Sequence, residues 1–321
     1  MNSYRMGSHG DDVRKIQQAL AAAGLYRGPI DGDFGGGTFA AVVAFQKKKG
    51  MVTDGVVGPK TWKALFDKRM QPSQLARRPL IDRCIALTGA FETGKGFPDC
   101  FCGIAGDFDG QGVSLGVLQW NFGQGTLQPL LREMMTSFPD VSKEVLGDFF
   151  DPLLAALEAE KTELMEFSRA VQHPVTHAVF EPWRGFAKSL GRTEEFQAVQ
   201  INHARGLYDK ALAMCADYDL WSERAAALMF DIVTQNGSIR PHTRGIILAE
   251  FKSLSRQLTE DEREVRKLEI IANRRAEAAN PRWVDDVRMR KLCVARGEGA
   301  VHGIRYHIEE QFGIRLAPAV V

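Results

Sequence analysis

No run in the 321 residues reaches the ~18 consecutive apolar residues needed to cross a membrane as a helix, so insertion into a bilayer is not expected. Excess charge is also missing. A net charge of +1 excludes bulk electrostatic binding to nucleic acid. The imbalance is only local: residues 1–67 carry nine Lys/Arg against six Asp and no Glu, leaving the remainder slightly acidic. Cysteine is scarce and odd in number. Cys84, Cys100, Cys102, Cys215 and Cys293 have no framework spacing, which argues against disulfides and for buried thiols. A zinc site lacks its ligands, because Cys100 and Cys102 have no second Cys/His pair at a matching distance. His173 and His177 are four apart, but Pro174 lies between them and no Glu completes a His-Glu-x-x-His pattern. The expectation is no metal and no cofactor. Met1-Asn2-Ser3-Tyr4-Arg5 opens the chain without the apolar segment of a signal peptide, which predicts a soluble chain made in the cytoplasm.

What is present begins with a repeat. Asp31-Gly32-Asp33-Phe34-Gly35-Gly36-Gly37-Thr38 returns as Asp54-Gly55-Val56-Val57-Gly58-Pro59-Lys60-Thr61, each copy followed by an aromatic, Phe39 or Trp62. Asp-Gly makes a turn and the following Thr region opens a helix. Helices are predicted at Asp11–Ala23, with Val13, Ile16, Gln17 and Leu20 on one face, at about 38–48, and at about 59–67. Three short helices make a minimal domain of residues 1–67, followed by a linker at 68–76 in which Pro72 and Ser73 separate two helices.

The order Gly10-x-x-Val13-x-x-x-Gln17-x-x-Leu20, Ile30-Asp31-Gly32-x-Phe34-Gly35, Ala44-Phe45-Gln46 and Asp54-Gly55-Val56-Val57-Gly58-x-x-Thr61-Trp62 resembles the peptidoglycan-binding type 1 domain. The resemblance implies bacterial cell wall as partner and offers Asp31, Phe34, Asp54, Thr61 and Trp62 as candidate binding residues. From the residues alone, most of these positions read as turn-makers.

Residues 77–321 read as mainly helical, with candidates at 74–90, 126–137, 142–172, 193–216, 219–236, 243–279 and 283–296. The good strand territory lies between Phe101 and Phe122, predicting one small hairpin. Glu92 ends the first of these helices beside Phe91, and an apolar setting there would raise its pKa toward that of a general acid at neutral pH. Asp107 and Asp109 follow 15 and 17 residues later in Gly106-Asp107-Phe108-Asp109-Gly110-Gln111-Gly112. On an extended strand both would point the same way and either could supply a second carboxylate, although Asp-Gly is equally a turn signal. One protonated carboxyl and one ionised carboxylate are what glycosidic cleavage needs. Trp120 and Asn121 could stack on and bond a pyranose, or belong to the core. Gln235 and Asn236 close an apolar helix and could fix substrate or cap the helix. The three arginines of the segment from Asn273 to Trp283 could form a surface charge network or meet carboxylates.

Asp109-Gly110-x-Gly112-x-x-x-Gly116-x-x-x-Trp120 and Gly123-x-Gly125-Thr126-Leu127 resemble the chitosanase-like branch of the lysozyme superfamily over about 40 residues. That resemblance implies Glu92 as acid and Asp109 as base, with Asp107 as a competitor because the spacing is short, and places Thr126 near the substrate. Gly116-Val117-Leu118-Gln119 is similar to a lytic-transglycosylase motif whose Gln lines the substrate groove, implying that role for Gln119. The expected architecture is therefore a three-helix wall-binding domain and a larger helical lysozyme-like domain with a short hairpin. The expected activity is cleavage of the β-1,4 bond between N-acetylmuramic acid and N-acetylglucosamine. A lytic transglycosylase using Glu92 alone, a chitosanase and a non-catalytic wall-binding protein are the alternatives. The pairing resembles phage endolysins and secreted lysozyme effectors, which implies action on the wall after release through a holin or delivery by a secretion machine.

Overall fold

The computed structural model describes residues 3–8, 10–70 and 74–319, so residues 71–73 of the expected linker lie outside it. The chain is mainly α, as expected. Helices α1 (Asp11–Ala22), α2 (Gly36–Lys48) and α3 (Pro59–Phe66) enclose their own core of Val13, Ile16, Leu20, Phe34, Val42, Phe45 and Val57. A separate, larger core fills the rest of the chain.

Two glutamines hold the N-terminal unit together. Gln17, fully buried, donates from Nε2 to Asp31 Oδ1 at 2.8 Å and the Asp33 carbonyl at 3.0 Å, and accepts from the Gly32 amide at 2.9 Å. Gln46 repeats this with Asp54 Oδ1 at 2.8 Å, the Val56 carbonyl at 3.0 Å and the Gly55 amide at 2.9 Å. Each also reaches the following threonine, Thr38 or Thr61, at 3.2 Å. The sequence repeat is thus a repeated device: one buried amide ties the Asp side chain, the Gly amide and a carbonyl of an Asp-Gly turn to the threonine that follows. Gln46→Leu should strand several buried groups at ~1–3 kcal/mol each. A melting temperature for this unit lowered by about ten degrees or more is expected, and an unchanged calorimetric transition would show the hub to be dispensable.

The larger body comprises α4 (Leu80–Thr93), α5 (Leu127–Ser137), α6 (Pro139–Leu146), α7 (Phe150–Glu158), α8 (Lys161–Ala170), α9 (Trp183–Arg192), α10 (Glu194–Asp217), α11 (Glu223–Asn236), α12 (Pro241–Lys252), α13 (Glu260–Glu277), α14 (Val284–Arg296) and α15 (Ile308–Phe312). Thr193 caps α10 and Ser222 caps α11 through their hydroxyls, and α13 opens on a capping box of Thr259 and Glu262. That box breaks the single helix expected over 243–279 into α12 and α13. The stretch 142–172 is likewise divided, by Gly147 in a conformation with φ of 52° and by Glu160 in extended backbone. Helices α9 and α15 were not foreseen.

Strands β1 (Ile104–Ala105), β2 (Ser114–Leu115) and β3 (Trp120–Asn121) form an antiparallel sheet inside the expected territory. An unforeseen second hairpin, β4 (Glu298–Val301) and β5 (Ile304–His307), turns through His302 and Gly303, both at positive φ. Such a turn matches strand twist but normally announces itself with Asn-Gly or Asp-Gly.

The two bodies are in contact. Asp54 pairs with Arg305 at 3.1 Å, Lys60 with Glu298 at 3.1 Å, and Gln311 donates to the Ser3 hydroxyl at 2.7 Å. Arg5 donates to the Gly94 carbonyl at 3.2 Å, at the end of α4. Among the described residues, no helix is long and apolar enough to cross a membrane.

Candidate active site

Helix α11 is apolar almost throughout, with Ala225 to Phe230, Ile232 and Val233 all buried. Asp231 interrupts that run and is itself completely buried. An isolated carboxylate could not stay there ionised, and two cations from α14 meet it. Arg290, 1% exposed, donates from Nη2 to Asp231 Oδ1 at 2.6 Å and from Nε to both oxygens at 3.0 and 3.1 Å. Lys291, fully buried, donates to Asp231 Oδ2 at 2.5 Å. Thr88 of α4 adds a hydroxyl at 3.3 Å.

The remaining arm of Arg290 points out of the core. Its Nη1 donates to Glu92 Oε1 at 2.7 Å, and the guanidinium stacks over the Phe91 ring 5.2 Å from its centre. Glu92 sits in the last turn of α4 with its side chain 35% exposed. Its setting therefore differs from the apolar pocket expected: a buried guanidinium grips one oxygen while Oε2 has no hydrogen-bond partner among the described residues. On the far side, Lys291 donates to Gln235 Oε1 at 2.8 Å. One chain of charge-assisted bonds runs Glu92–Arg290–Asp231–Lys291–Gln235. It joins α11 to α4 and α14, which both pack against it.

Burial alone would raise the Asp231 pKa, but Arg290 and Lys291 hold it down at about 2. Burial lowers the Lys291 ammonium to about 8, with repulsion from Arg290 and Arg275 working against the pull of Asp231. Arg290 stays raised, since Asp231 and Glu92 outweigh its burial. Because the folded pKa of Asp231 lies below its unfolded value, its stabilisation is fully present above about pH 4 and is lost as pH falls toward 2. The loss is on the order of 2 kcal/mol. Urea midpoints measured from pH 5 to 2 should show it, and an Asp231→Asn protein should lack that component.

The turn after β2 lies against the end of α4. A Cβ on Gly89 would stand 2.2 Å from the Val117 side chain, so only glycine lets the Gly116–Gln119 turn approach so closely. A Cβ on Gly103 would meet the Gln119 amide, the Thr93 methyl and the Gly116 carbonyl together. Gln119 has φ of 55°, and its Nε2 donates to the Gly116 carbonyl at 2.8 Å. Gln119 thus stands beside Thr93, the neighbour of Glu92.

The other expected residues fall elsewhere. Residues 106–112 are a loop and not a strand. Asp107 Oδ1 accepts the Gly112 amide at 2.9 Å, and Asp109 Oδ1 accepts the Gln111 amide at 3.1 Å, so both carboxylates act as turn-makers. Asp109 is exposed and Asp107 half-buried. Trp120 and Asn121 are in the core, against the expectation of a groove wall. Asn121 Oδ1 accepts the Gln124 amide and its own amide donates to the Thr126 hydroxyl, which makes Asn121 and Thr126 a turn lock. In the N-terminal unit, Phe34 is core, Asp31, Asp54 and Thr61 serve the glutamine hubs, and Trp62 packs between Tyr4 and Phe66. Gln235 and Asn236 do share a cleft, lined also by Arg240, Arg275 and Trp283. Asp231, Arg290 and Lys291 were missed. The available signal was an Asp inside nine otherwise apolar residues, Ala225 to Val233, which demands a buried cation somewhere in the chain.

All five cysteines are free and buried. Burial pushes the Cys215 and Cys293 thiols up to about 12, which leaves them protonated and unreactive. Among the described residues, no group of three or more His, Cys, Asp or Glu could hold a metal.

Residues 9–65 match the family model described as "Putative peptidoglycan binding domain". The N-terminal unit is a peptidoglycan-binding domain. The chain is similar to the N-acetylmuramoyl-L-alanine amidase CwlM of Mycobacterium tuberculosis, 36% identical over 75 residues, which is 20% of this chain and 18% of that protein. It is also similar to a spore cortex-lytic enzyme of Bacillus cereus, 46% identical over 55 residues, 17% of this chain and 21% of that protein. The chain thus spans about a fifth of the length of these curated relatives. A chitosanase complex structure aligns with 70% of this chain and 95% of its own, at 20% identity and a TM-score of 0.45. At that level the likeness brings no chemistry to this chain. The peptidoglycan-binding domain is carried beside a second body, the one holding Glu92.

Proposed function

We propose that the chain cleaves the glycan backbone of peptidoglycan, with Glu92 as the proton donor. The observation that carries this reading is the Arg290 bridge: a partly exposed carboxyl fixed from below by a wholly buried ion network, in a chain that also carries a peptidoglycan-binding domain. Arg290 on Oε1 leaves Oε2 as the oxygen through which Glu92 would deliver a proton. As the bond between C1 and the bridging oxygen breaks, that proton passes to the leaving oxygen. The carboxylate that remains is met by a guanidinium already in place, without rearrangement. Water then attacks C1. In an inverting muramidase, Asp109 or Asp107 would take the water's proton; in a retaining one it would first bond to C1 and Glu92, now ionised, would deprotonate the water that displaces it, the gap between carboxyls deciding which. Gln119, beside Thr93, would border the sugar. The domain assignment that goes with this reading is 1–67 for wall binding, 68–76 as connector and 77–321 for cleavage.

A lytic transglycosylase reading is favoured by one specific observation. Both Asp107 and Asp109 already accept turn amides, so Glu92 could act alone, first as acid and then as base toward the sugar's own 6-hydroxyl. Mass spectrometry of purified walls digested by the full chain separates the readings. Reducing N-acetylmuramic acid ends support the muramidase, and anhydro-muramyl ends the transglycosylase. Newly freed muramyl groups with intact glycan would replace both with an amidase, and undigested walls would end the glycan-cleaving reading.

A further inference from the structure

The cleft at the far end of the ion network has a charge balance of its own. It encloses about 470 Å³ between the end of α11 and the junction of α13 and α14, and its wall includes Arg240, Arg275, Asn236, Trp283 and Asp286. Among the described residues, neither Arg240 nor Arg275 has a side-chain hydrogen bond or ion pair, and the buried Nε of Arg275 is left without an acceptor. The one carboxylate of the wall is engaged elsewhere, because Asp286 pairs with His302 at 2.7 Å. Burial and the nearby Arg240 both disfavour the charge on Arg275, and Arg275 in turn repels Lys291. Arg275 is half-buried and unpaired and Arg240 is exposed close by, so the two present positive charge that an entering anion would pair with. The Asn236 side-chain oxygen is also buried and unpartnered, an acceptor waiting for an N–H. Trp283, 51% exposed, supplies a flat apolar face at the rim.

We propose that this cleft is a subsite for a carboxylate carried next to an amide, the chemistry of an N-acylated amino acid attached to a glycan. A planar guanidinium pair suits a carboxylate bidentately, and Asn236 suits the adjacent N–H. Gln235 belongs both to this wall and to the network that ends at Glu92, so one chain of bonds connects the subsite to the proposed site of cleavage. The inference rests on the reading that Glu92 faces a peptidoglycan strand. On such a strand the carboxylate could be that of the peptide stem or, where the peptide has been removed, of the lactyl ether.

Calorimetric titration of the full chain bearing Glu92→Gln, which leaves the probe uncut, tests it against the same protein with Arg240→Gln and Arg275→Gln added. Three soluble tetrasaccharides serve as probes: one with peptide stems, one with bare lactyl groups, and fully N-acetylated chitotetraose, which has no carboxylate. The paired substitution should weaken the peptide-bearing probe about tenfold or more and change chitotetraose less than about twofold. A matching loss for the lactyl probe shows that the subsite takes either carboxylate, since the lactyl carboxyl of the peptide-bearing probe is tied up as an amide, and no loss there assigns it to the peptide. Equal affinity of the two proteins for the peptide-bearing probe, an equal loss for chitotetraose, or no binding by the parent would overturn the proposal. Undigested walls beside an arginine-dependent titration would remove the cleavage reading alone. Unchanged melting of the variant excludes misfolding, since the exchange relieves a like-charge contact.

Discussion

An Asp231→Asn protein should lose on the order of 3–5 kcal/mol of stability, a large share of what a domain of this size possesses. The reason is asymmetric. Removing one carboxylate leaves Lys291, 0% exposed, as an uncompensated buried charge and Arg290, 1% exposed, with only the partly exposed Glu92 as its counter-charge. Asparagine keeps the shape and can still accept a hydrogen bond, so the loss reports on charge and not on a cavity. The companion experiment is a triple replacement, Asp231→Leu with Arg290→Met and Lys291→Leu. Removing all three charges together should recover most of that stability, because a desolvated ion cluster is rarely more stable than apolar residues of similar volume. It should not recover activity, because Glu92 then has no guanidinium beneath it. Melting temperatures of the two variants separate the ideas. An Asp231→Asn protein that melts with the parent would mean that the buried cations find another partner.

Glu92→Gln should lower the release of sugar ends from walls by about 10²–10⁴-fold, the range of a lost general acid. The amide oxygen can still accept from Arg290 Nη1, so the helix end and the network beneath it should stay in place. What disappears is the oxygen that would deliver the proton. Binding to walls through the peptidoglycan-binding domain should be untouched, which makes sedimentation with insoluble walls the control. A rate within tenfold of the parent would remove Glu92 from the chemistry. If Asp107→Asn and Asp109→Asn together leave the rate intact while Glu92→Gln abolishes it, the second carboxylate is dispensable and the transglycosylase reading gains.

The positions legible in the sequence were those whose chemistry is local. The Asp-Gly turns, the three opening helices, the strand territory between Phe101 and Phe122 and the placement of Glu92 at a helix end all follow from residues a few positions apart. The network under Glu92 did not, because Asp231 and Arg290 are 59 residues apart and Glu92 and Arg290 are 198 apart. Charged residues on a helix default to solvent, and nothing in the segment Val284–Arg296 alone says that Arg290 and Lys291 turn inward. Trp120 shows the converse difficulty. Its neighbours suggested a sugar platform, whereas the pleat of β3 and the glycine at 116 place the ring in the core. The breaks at Gly147 and at the capping box of Thr259 and Glu262 were readable, and long apolar periodicity masked them.

The peptidoglycan-binding domain is not hung on a free tether. Arg5 ties it to the Gly94 carbonyl two residues beyond Glu92, and Asp54 and Lys60 bolt it to the β4–β5 hairpin. A loose anchor raises local concentration and leaves the choice of cut to chance along the strand. A mounted anchor fixes the separation between the point of hold and the carboxylate, and a fixed separation is a ruler. Fragments cut from a long strand would then cluster around a preferred number of sugar units instead of spreading evenly.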